Sequence, residues 1–205
     1  MGFVGTLIPE ALGGAQFGYV GMGQVSEQAG RNLSASPLIS TAIGGVAALL
    51  LAGSSEQQQA LLPQVAEGSL LLALAIDEAP RHAPNRVATR LQVADGGYLL
   101  NGRKTFVVDG HVADKLIVSA RSEGAEGDQA GISLLLVPKF IAAADGTPGE
   151  RNALSCGAIE HKMGIKGAST CVMNFDGATG WLVGEANQGL ACMFTMMNDA
   201  RFQVG

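Results

Sequence analysis

Three histidines and one adjacent pair of carboxylates are the first candidates for acid–base or metal chemistry in this chain. His82, His111 and His161 lie far apart and lack the spacing of metal ligands, so each is expected on a loop or on the surface. The pair Asp77–Glu78 has no evident second carboxylate, and a turn at the end of a strand explains it. The chain also lacks a nucleophile elbow, a P-loop and a strand-to-helix dinucleotide motif. These residues alone therefore identify no catalytic site.

The three cysteines and the overall charge narrow the class of protein. Cys156, Cys171 and Cys192 form no C-x-x-C pair, and an odd number fits a disulfide framework poorly, so free thiols in a reducing cytoplasm are expected. The net charge of −5, without a basic run, argues against a nucleic-acid partner. Hydrophobic residues make up 47% of the chain, which is enough for a packed core.

The first third of the chain reads as helical. Tyr19–Asn32 is a modest helix with one apolar side, and Leu38–Ala52 is so apolar that it should be buried on most of its faces. The second stretch is short for a membrane span, and small polar residues and glycines interrupt it, so we predict a buried helix and no membrane span.

A third helix has a marked beginning and end. Ser54 is a typical N-cap, and Gln57 completes a capping box before the helix Ser55–Glu67. Pro63 is expected to kink or shorten this helix, and Gly68 to end it.

After Gly68 the apolar pattern changes from helical to strand-like. Asp95–Gly96 and Asn101–Gly102 are strong hairpin turns, whereas Ala142–Asn152 reads as a polar excursion loop. Closely spaced strands with tight turns predict an antiparallel barrel or sandwich. The predicted strands are Leu70–Ile76, Val87–Val93, Lys104–Val108, Lys115–Ala120, Ile132–Val137, Ser169–Phe175 and Trp181–Val183.

The chain returns to helix at its end. Leu190, Met193, Phe194 and Met197 recur at helical spacing and make an apolar stripe. Such a stripe needs a surface to pack on, so we expect the chain to stop in mid-structure at Gly205.

The order of several motifs resembles that of the acyl-CoA dehydrogenase family. The segment Asp95–Lys104, DGGYLLNGRK, is a near-complete match to a family pattern. Each of the other motifs is weak by itself, but together they follow the family's order over nearly the whole chain. They are Ile8–Pro9–Glu10 with Gly13–Gly14, Glu27–Arg31, Gly53–Gly68, Asp77–Glu78, Ala113–Asp114, His161–Thr170, Val183–Gly184 with Gln188–Gly189, and Arg201. The last third looks most like the branch that includes 3-(methylthio)propanoyl-CoA dehydrogenase, whereas residues 70–121 look more like another branch.

The resemblance implies an α+β architecture in three parts. Residues 1–68 would form part of an N-terminal helical domain, packed on a middle antiparallel β-barrel of residues 69–184. Residues 185–205 would be the first helix of a missing C-terminal helical bundle.

The resemblance also implies the site residues. It puts Leu74, Ile76 and Asp77 against the flavin ring of FAD, and Ala83 near the pyrophosphate and the substrate thioester. It places the strand end Phe106, Val107 and Val108 beside the flavin, where many members have a Trp at the first position and a hydroxyl residue at the third. Substrate contacts are expected from Ala83, Asn198 and Arg201. A plain core role for Phe106 is the alternative.

Three departures from the family pattern affect these contacts. Asp77 replaces a Thr, and its charge should disfavour an anionic reduced flavin. Val108 cannot donate a hydroxyl hydrogen bond, and the stretch after Asp77 lacks the usual G-x-G-S-D. Each lost bond to a charged group would cost about 1.5–3 kcal/mol.

The implied activity is the α,β-dehydrogenation of an acyl-CoA thioester to a trans-2-enoyl-CoA. The Glu that removes the α-proton in most members lies in the C-terminal bundle, so no catalytic base is assigned and this chain alone is expected to be inactive. Acyl-CoA, an electron-transfer flavoprotein as acceptor and a homo-oligomeric full-length protein follow from the resemblance. A flavin-dependent monooxygenase on the same scaffold, or a non-catalytic binding module, are the alternatives.

Overall fold

The computed structural model describes residues 2–81, 83–122, 130–143 and 145–194. Two short 3-10 helices, Phe3–Gly5 and Glu10–Leu12, open the chain. They are followed by α1 (Gly18–Arg31), a π-helix (Leu38–Gly45), α2 (Val46–Ala52) and α3 (Ser55–Glu67). The strands are β1 (Leu72–Ala75), β2 (Arg90–Ala94), β3 (Gly97–Val108), β4 (Lys115–Arg121), β5 (Ile132–Pro138), β6 (Phe140–Ala142), β7 (Pro148–Arg151), β8 (Leu154–Ile159) and β9 (Thr170–Val183).

Helix α3 begins and ends as its sequence predicts. The Ser54 hydroxyl accepts a hydrogen bond from the Gln57 N–H at 3.2 Å, and Gln57 Oε1 accepts one from the Ser54 N–H at 3.1 Å. Gly68 caps the other end with a φ of 80°. Pro63 lies inside the helix without ending it. The predicted shortening is therefore wrong.

The apolar segment Leu38–Ala52 is divided into a π-helix and α2 rather than forming one regular helix. π-Helical turns are rare and often occur at functional sites. The segment lies close against β1, because a Cβ added at Gly45 would come within 2.4 Å of Leu72 Cβ. The Thr41 hydroxyl fastens the same contact by donating to the Leu72 carbonyl at 2.9 Å and accepting from its N–H at 3.1 Å.

The strands form one mixed sheet and one small hairpin. The main sheet runs β1-β4-β2-β3-β9-β5, β8 pairs with β9, and β5 also pairs with β4. The path from β4 through β2, β3, β9 and β5 thus returns to β4. The pairings β1–β4 and β2–β4 are parallel, so the expectation of a purely antiparallel sheet is wrong at these two places.

Strand β4 separates two hydrophobic cores. Ile117 belongs to the core that the helices share with the sheet, whereas Leu116 and Val118 belong to the core among the strands. Side chains alternate along a strand, so the apolar run Leu116–Ile117–Val118 buries residues on both faces of β4.

Two other segments complete the description. The predicted loop Ala142–Asn152 instead contributes to the hairpin β6–β7. Residues 189–194 are helical, with Met193 buried and Phe194 half-exposed. The end of the predicted terminal helix lies outside the described residues. Of the helices in the described ranges, none combines the length and apolar character that crossing a membrane requires.

Replacement of glycine by alanine is expected to have opposite effects on stability at Gly45 and at Gly30. Gly45→Ala should destabilise the protein by about 1–3 kcal/mol, because the new methyl group overlaps Leu72. Gly30→Ala on α1 meets no atom within 4 Å and should stabilise it by roughly 0.5–1 kcal/mol. Urea unfolding of both variants checks this prediction. Equal effects of the two substitutions would contradict the close helix–strand contact.

Candidate functional site

The end of β1 and the end of β3 meet at a corner, which we define as residues 76–78 together with 104–108. The Thr105 N–H donates to the Asp77 carbonyl at 2.7 Å. This hydrogen bond places Asp77 directly beside the residue that precedes Phe106. Two segments predicted to contact the same ligand are therefore brought together by the main chain.

Phe106 has an unusual backbone conformation at this corner. Its φ is 54°, and the pairing of β3 with β9 is irregular between Lys104 and Val107. A positive φ is costly for a bulky residue, and such strain is concentrated at functional sites. The Phe106 side chain is 43% exposed. The plain core role is therefore excluded for its ring.

The next two residues point to opposite sides. Val107 is fully buried and pairs with Cys171, so only its backbone can contact a ligand at the surface. Val108 is 40% exposed and pairs with Thr170.

The β1 residues of the predicted site pack against the helices. Leu74 is half-buried, and its side chain approaches Gly44 of the π-helix. Ile76 is buried in the core that the helices share with the sheet. Asp77 is half-buried. Their contacts with a cofactor stay a prediction.

Ala83 lies in a different segment, which a buried arginine holds. The Ala83 carbonyl accepts the Arg86 N–H at 2.8 Å. The fully buried Arg121 donates to the carbonyls of Asn85 at 3.0 Å and Val87 at 3.1 Å. This guanidinium therefore orders the segment that stands in place of the family's G-x-G-S-D pattern. The predicted substrate contacts Asn198 and Arg201 lie outside the described residues.

A buried lysine, Lys104, lies at the corner and was not among the predicted site residues. Lys104 is fully buried, and its ammonium donates to Glu78 Oε1 at 2.6 Å, to Ser119 Oγ at 2.9 Å and to the Ile76 carbonyl at 3.1 Å. The Glu78 carboxylate also accepts from the N–H groups of Ala88 at 2.7 Å and Thr89 at 3.1 Å. The available signal was a lysine at the end of a family motif, inside a strand.

Burial and charge act in opposite directions on this pair. Burial lowers the pKa of Lys104 from 10.5 to about 8, although the carboxylates of Glu78 and Asp77 raise it. Burial also acts to raise the pKa of Glu78. The charge of Lys104 and the hydrogen bonds to the carboxylate outweigh it, and the pKa ends below its usual 4.5. At neutral pH the pair is therefore ionised.

A cavity of about 670 Å³ lies at the same end of β3, and Asp109, His111, Glu160 and Lys162 are among its lining residues. Asp109 follows Val108 with a φ of 58°, and its Oδ2 accepts a hydrogen bond from the Ser40 hydroxyl at 2.7 Å. His111 Nδ1 and Ser169 Oγ are 2.7 Å apart at the cavity wall. The described residues contain no group of three His, Cys, Asp or Glu side chains arranged to hold a metal ion.

Two family models match consecutive parts of the chain. The acyl-CoA dehydrogenase N-terminal domain matches residues 1–69, and the acyl-CoA dehydrogenase middle domain matches residues 81–178. The chain belongs to the acyl-CoA dehydrogenase family. The members of this family are FAD-dependent oxidoreductases.

Individual relatives agree with this assignment. The chain is 33% identical over 207 residues to 3-methylmercaptopropionyl-CoA dehydrogenase of Ruegeria pomeroyi, covering 98% of this chain and 34% of the relative. A solved FAD-dependent dehydrogenase superposes with a TM-score of 0.81 at 28% identity, covering 98% of this chain and 54% of that one. A structure from a study of the electron transferring flavoprotein of Acidaminococcus fermentans gives a TM-score of 0.80 at 26% identity, covering 99% and 52%. The chain thus spans about a third of the curated relative and half of each solved chain.

The exposed apolar residues of the corner are compatible with a planar aromatic cofactor, and their contact with the flavin of FAD stays a prediction. Phe106 and Val108 present half-exposed apolar side chains beside Asp77, and a strained backbone holds the aromatic ring outward. Val108 offers no hydrogen-bond donor from its side chain, so polar contacts there depend on main-chain groups.

The lowered pKa of Lys104 predicts a pH dependence of stability. Between pH 8 and 10.5 the unfolded chain binds more protons than the folded one at this site, so the free energy of unfolding should rise with pH. The slope is at most about 1.4 kcal/mol per pH unit. Lys104→Arg, which stays charged throughout, should lack this rise. The free energy of unfolding is measured by urea unfolding at several pH values. The same change with pH in both proteins would refute the prediction.

The positive φ of Phe106 predicts an inverted glycine–alanine preference. Phe106→Gly should be more stable than Phe106→Ala by about 1 kcal/mol, since a left-handed conformation penalises any Cβ. Phe140, comparably exposed on β6, is the control, and there the alanine variant should be the more stable one. Chemical denaturation of the four variants decides, and the same ranking at both positions would contradict the strained conformation.

Proposed function

We propose that this chain forms the flavin- and thioester-facing wall of an FAD-dependent acyl-CoA dehydrogenase. The hydrogen bond between Thr105 and Asp77 is the observation that carries the proposal. It brings the end of β1 beside Phe106 and Val108, and these are the residues that the family resemblance assigns to the flavin.

The domain organisation is part of the same proposal. Residues 1–68 form part of the helical N-terminal domain, residues 69–184 the middle domain, and residues 185–205 the start of a C-terminal helical domain. The ring of strand pairings that returns to β4 supports a barrel for the middle domain. Short loops and two-faced burial of β4 and β5 also support it.

The reaction is the removal of an α-proton and a β-hydride from an acyl-CoA thioester. Phe106 and Val108 would hold FAD, which would supply the hydride acceptor. The corner residues present an apolar wall with Phe106, and the half-buried Asp77 stands beside it. Ile76 and Val107, which flank the contact between the ends of β1 and β3, are both buried, and this burial keeps the wall in one position.

We assign no catalytic base among the described residues. The Glu78 carboxylate is bound by Lys104 and by two backbone N–H groups, and its lowered pKa makes it a poor proton acceptor. Glu160 is exposed and lies on the cavity wall rather than at the corner. The base is expected from the C-terminal part of the family architecture.

The substrate class and the partners are inferred from the relatives. The name of the Ruegeria pomeroyi relative supports a short, sulfur-containing acyl-CoA such as 3-(methylthio)propanoyl-CoA. Ala83, Asn198 and Arg201 stay the proposed substrate contacts. We propose an electron-transfer flavoprotein as acceptor and a homo-oligomeric full-length enzyme. The three free cysteines are consistent with a cytoplasmic location.

Expression from the complete gene tests the proposed function. The purified protein should contain one FAD per chain and should reduce an artificial electron acceptor when an acyl-CoA is added. Phe106→Ala should weaken FAD binding, whereas Phe140→Ala on the β6–β7 hairpin should not. Bound FAD without reduction by any acyl-CoA, from short to long chains, would reject the dehydrogenase activity. Product formation that requires oxygen and a flavin reductase would favour a monooxygenase instead.

A further inference from the structure

We propose that Lys104 is a positioning residue of the flavin site, which holds the corner in place and offsets the negative charge of Asp77. This inference rests on the proposed function, because it assigns a role in flavin chemistry to a residue behind the flavin wall. Lys104 is fully buried, so its role is exerted through the residues it binds.

The contacts of Lys104 converge on one short segment. The ammonium donates to the Ile76 carbonyl at 3.1 Å and to Glu78 Oε1 at 2.6 Å, so it binds the residues on both sides of Asp77. Thr105, the neighbour of Lys104 on β3, donates to the Asp77 carbonyl itself at 2.7 Å. Three successive residues are thus fixed by two adjacent residues of β3.

The same contacts extend to strand β4 and to the segment just before β2. The Ser119 hydroxyl on β4 lies 2.9 Å from the Lys104 ammonium and 3.3 Å from the Ile76 carbonyl, to which it donates. The Glu78 carboxylate receives the N–H groups of Ala88 and Thr89, just before β2. Removal of the ammonium would therefore loosen the end of β1, which the Thr105–Asp77 and Ser119–Ile76 hydrogen bonds would still join to β3 and β4.

Charge gives Lys104 a second effect that an apolar residue could not supply. Two carboxylates, Asp77 and Glu78, lie in sequence at the corner, and both act on the ammonium. The ammonium offsets part of the negative charge of these two carboxylates. Because a negative charge disfavours an electron-rich reduced ring, this cation should make reduction easier.

Stability alone does not explain a buried lysine at this position. Well-packed apolar residues often replace a buried ion pair with no loss of stability. Lys104 and Glu78 form such a pair, so apolar residues placed at both positions together are expected to cost little stability. The positioning role accounts for the presence of a buried charge next to the predicted flavin contacts.

The experiment uses the protein expressed from its complete gene, with the variants Lys104→Met, Lys104→Arg, Asp77→Asn and Asp77→Asn/Lys104→Met. Lys115→Met is the matched control, since Lys115 is a half-buried lysine on β4 that pairs with the opposite end of β1. The midpoint potential of bound FAD is measured by reductive titration with reference dyes.

Lys104→Met should weaken binding of reduced FAD about tenfold more than binding of oxidised FAD, which lowers the midpoint potential by about 30 mV for a two-electron couple. Lys104→Arg should keep the wild-type potential. Asp77→Asn should raise it, and the double variant should return it toward the wild type. A potential that is unchanged in Lys104→Met and Asp77→Asn, with FAD still bound, would overturn the inference while leaving the proposed function intact.

Amide hydrogen exchange of the FAD-free protein separates the positioning role of Lys104 from its charge effect. In the FAD-free protein, Lys104→Met should speed amide hydrogen exchange at least tenfold at Ala88, Thr89 and Thr105, the three amides bonded to the corner. Lys115→Met should leave these amides as in the wild type. Exchange as slow as in the wild type at all three amides of the Lys104→Met variant would overturn the positioning role. A wild-type protein that binds no FAD would instead reject the proposed function and, with it, the charge effect.

Discussion

The bond between the Lys104 ammonium and the Glu78 carboxylate is the interaction on which the arrangement of the site depends. An ammonium in an apolar interior is stable only when its protons are satisfied, and here a carboxylate, a hydroxyl and a carbonyl do so at 2.6–3.1 Å. These partners come from the segment just after β1 and from the interior of β4, so satisfying the charge of Lys104 on β3 brings the three strands together. The same requirement fixes the segment before β2, because the other side of the carboxylate binds its amides.

The helical layer constrains the corner from the opposite side. Gly44 and Gly45 let the π-helix approach β1 so closely that added methyl groups would overlap Leu74 and Leu72. Thr41 bonds both main-chain groups of Leu72. The strand that ends at the corner is therefore held by helix packing at its start and by a charge at its end. Because β1 is held at both ends, the wall can keep its side chains in one orientation without a loop to position them.

The family architecture and the individual residues carry different information. Two domain models establish that this chain belongs to the acyl-CoA dehydrogenase family. The corner nevertheless has its own chemistry, with a carboxylate at Asp77 and no hydroxyl at Val108. A strained Phe106 keeps an aromatic face outward. In the proposed flavin site these departures would act on the strength and redox balance of flavin binding, whereas the scaffold that carries them is that of the family.

The sequence by itself determined the features that depend on neighbours along the chain. The capping box at Ser54, the glycine at the end of α3 and the run of apolar residues in β4 are local patterns, and motif order gave the family. Only the tertiary structure decided that Lys104 meets Glu78 and that Val107 turns inward. It also decided that the segment from Leu38 begins as a π-helix and that β1 pairs in parallel with β4. The reason is physical: these features arise where residues far apart in sequence, from 26 positions for Lys104 and Glu78 to 64 positions for Val107 and Cys171, compete for the same space and the same hydrogen bonds. A pattern read along one chain contains no term for that competition.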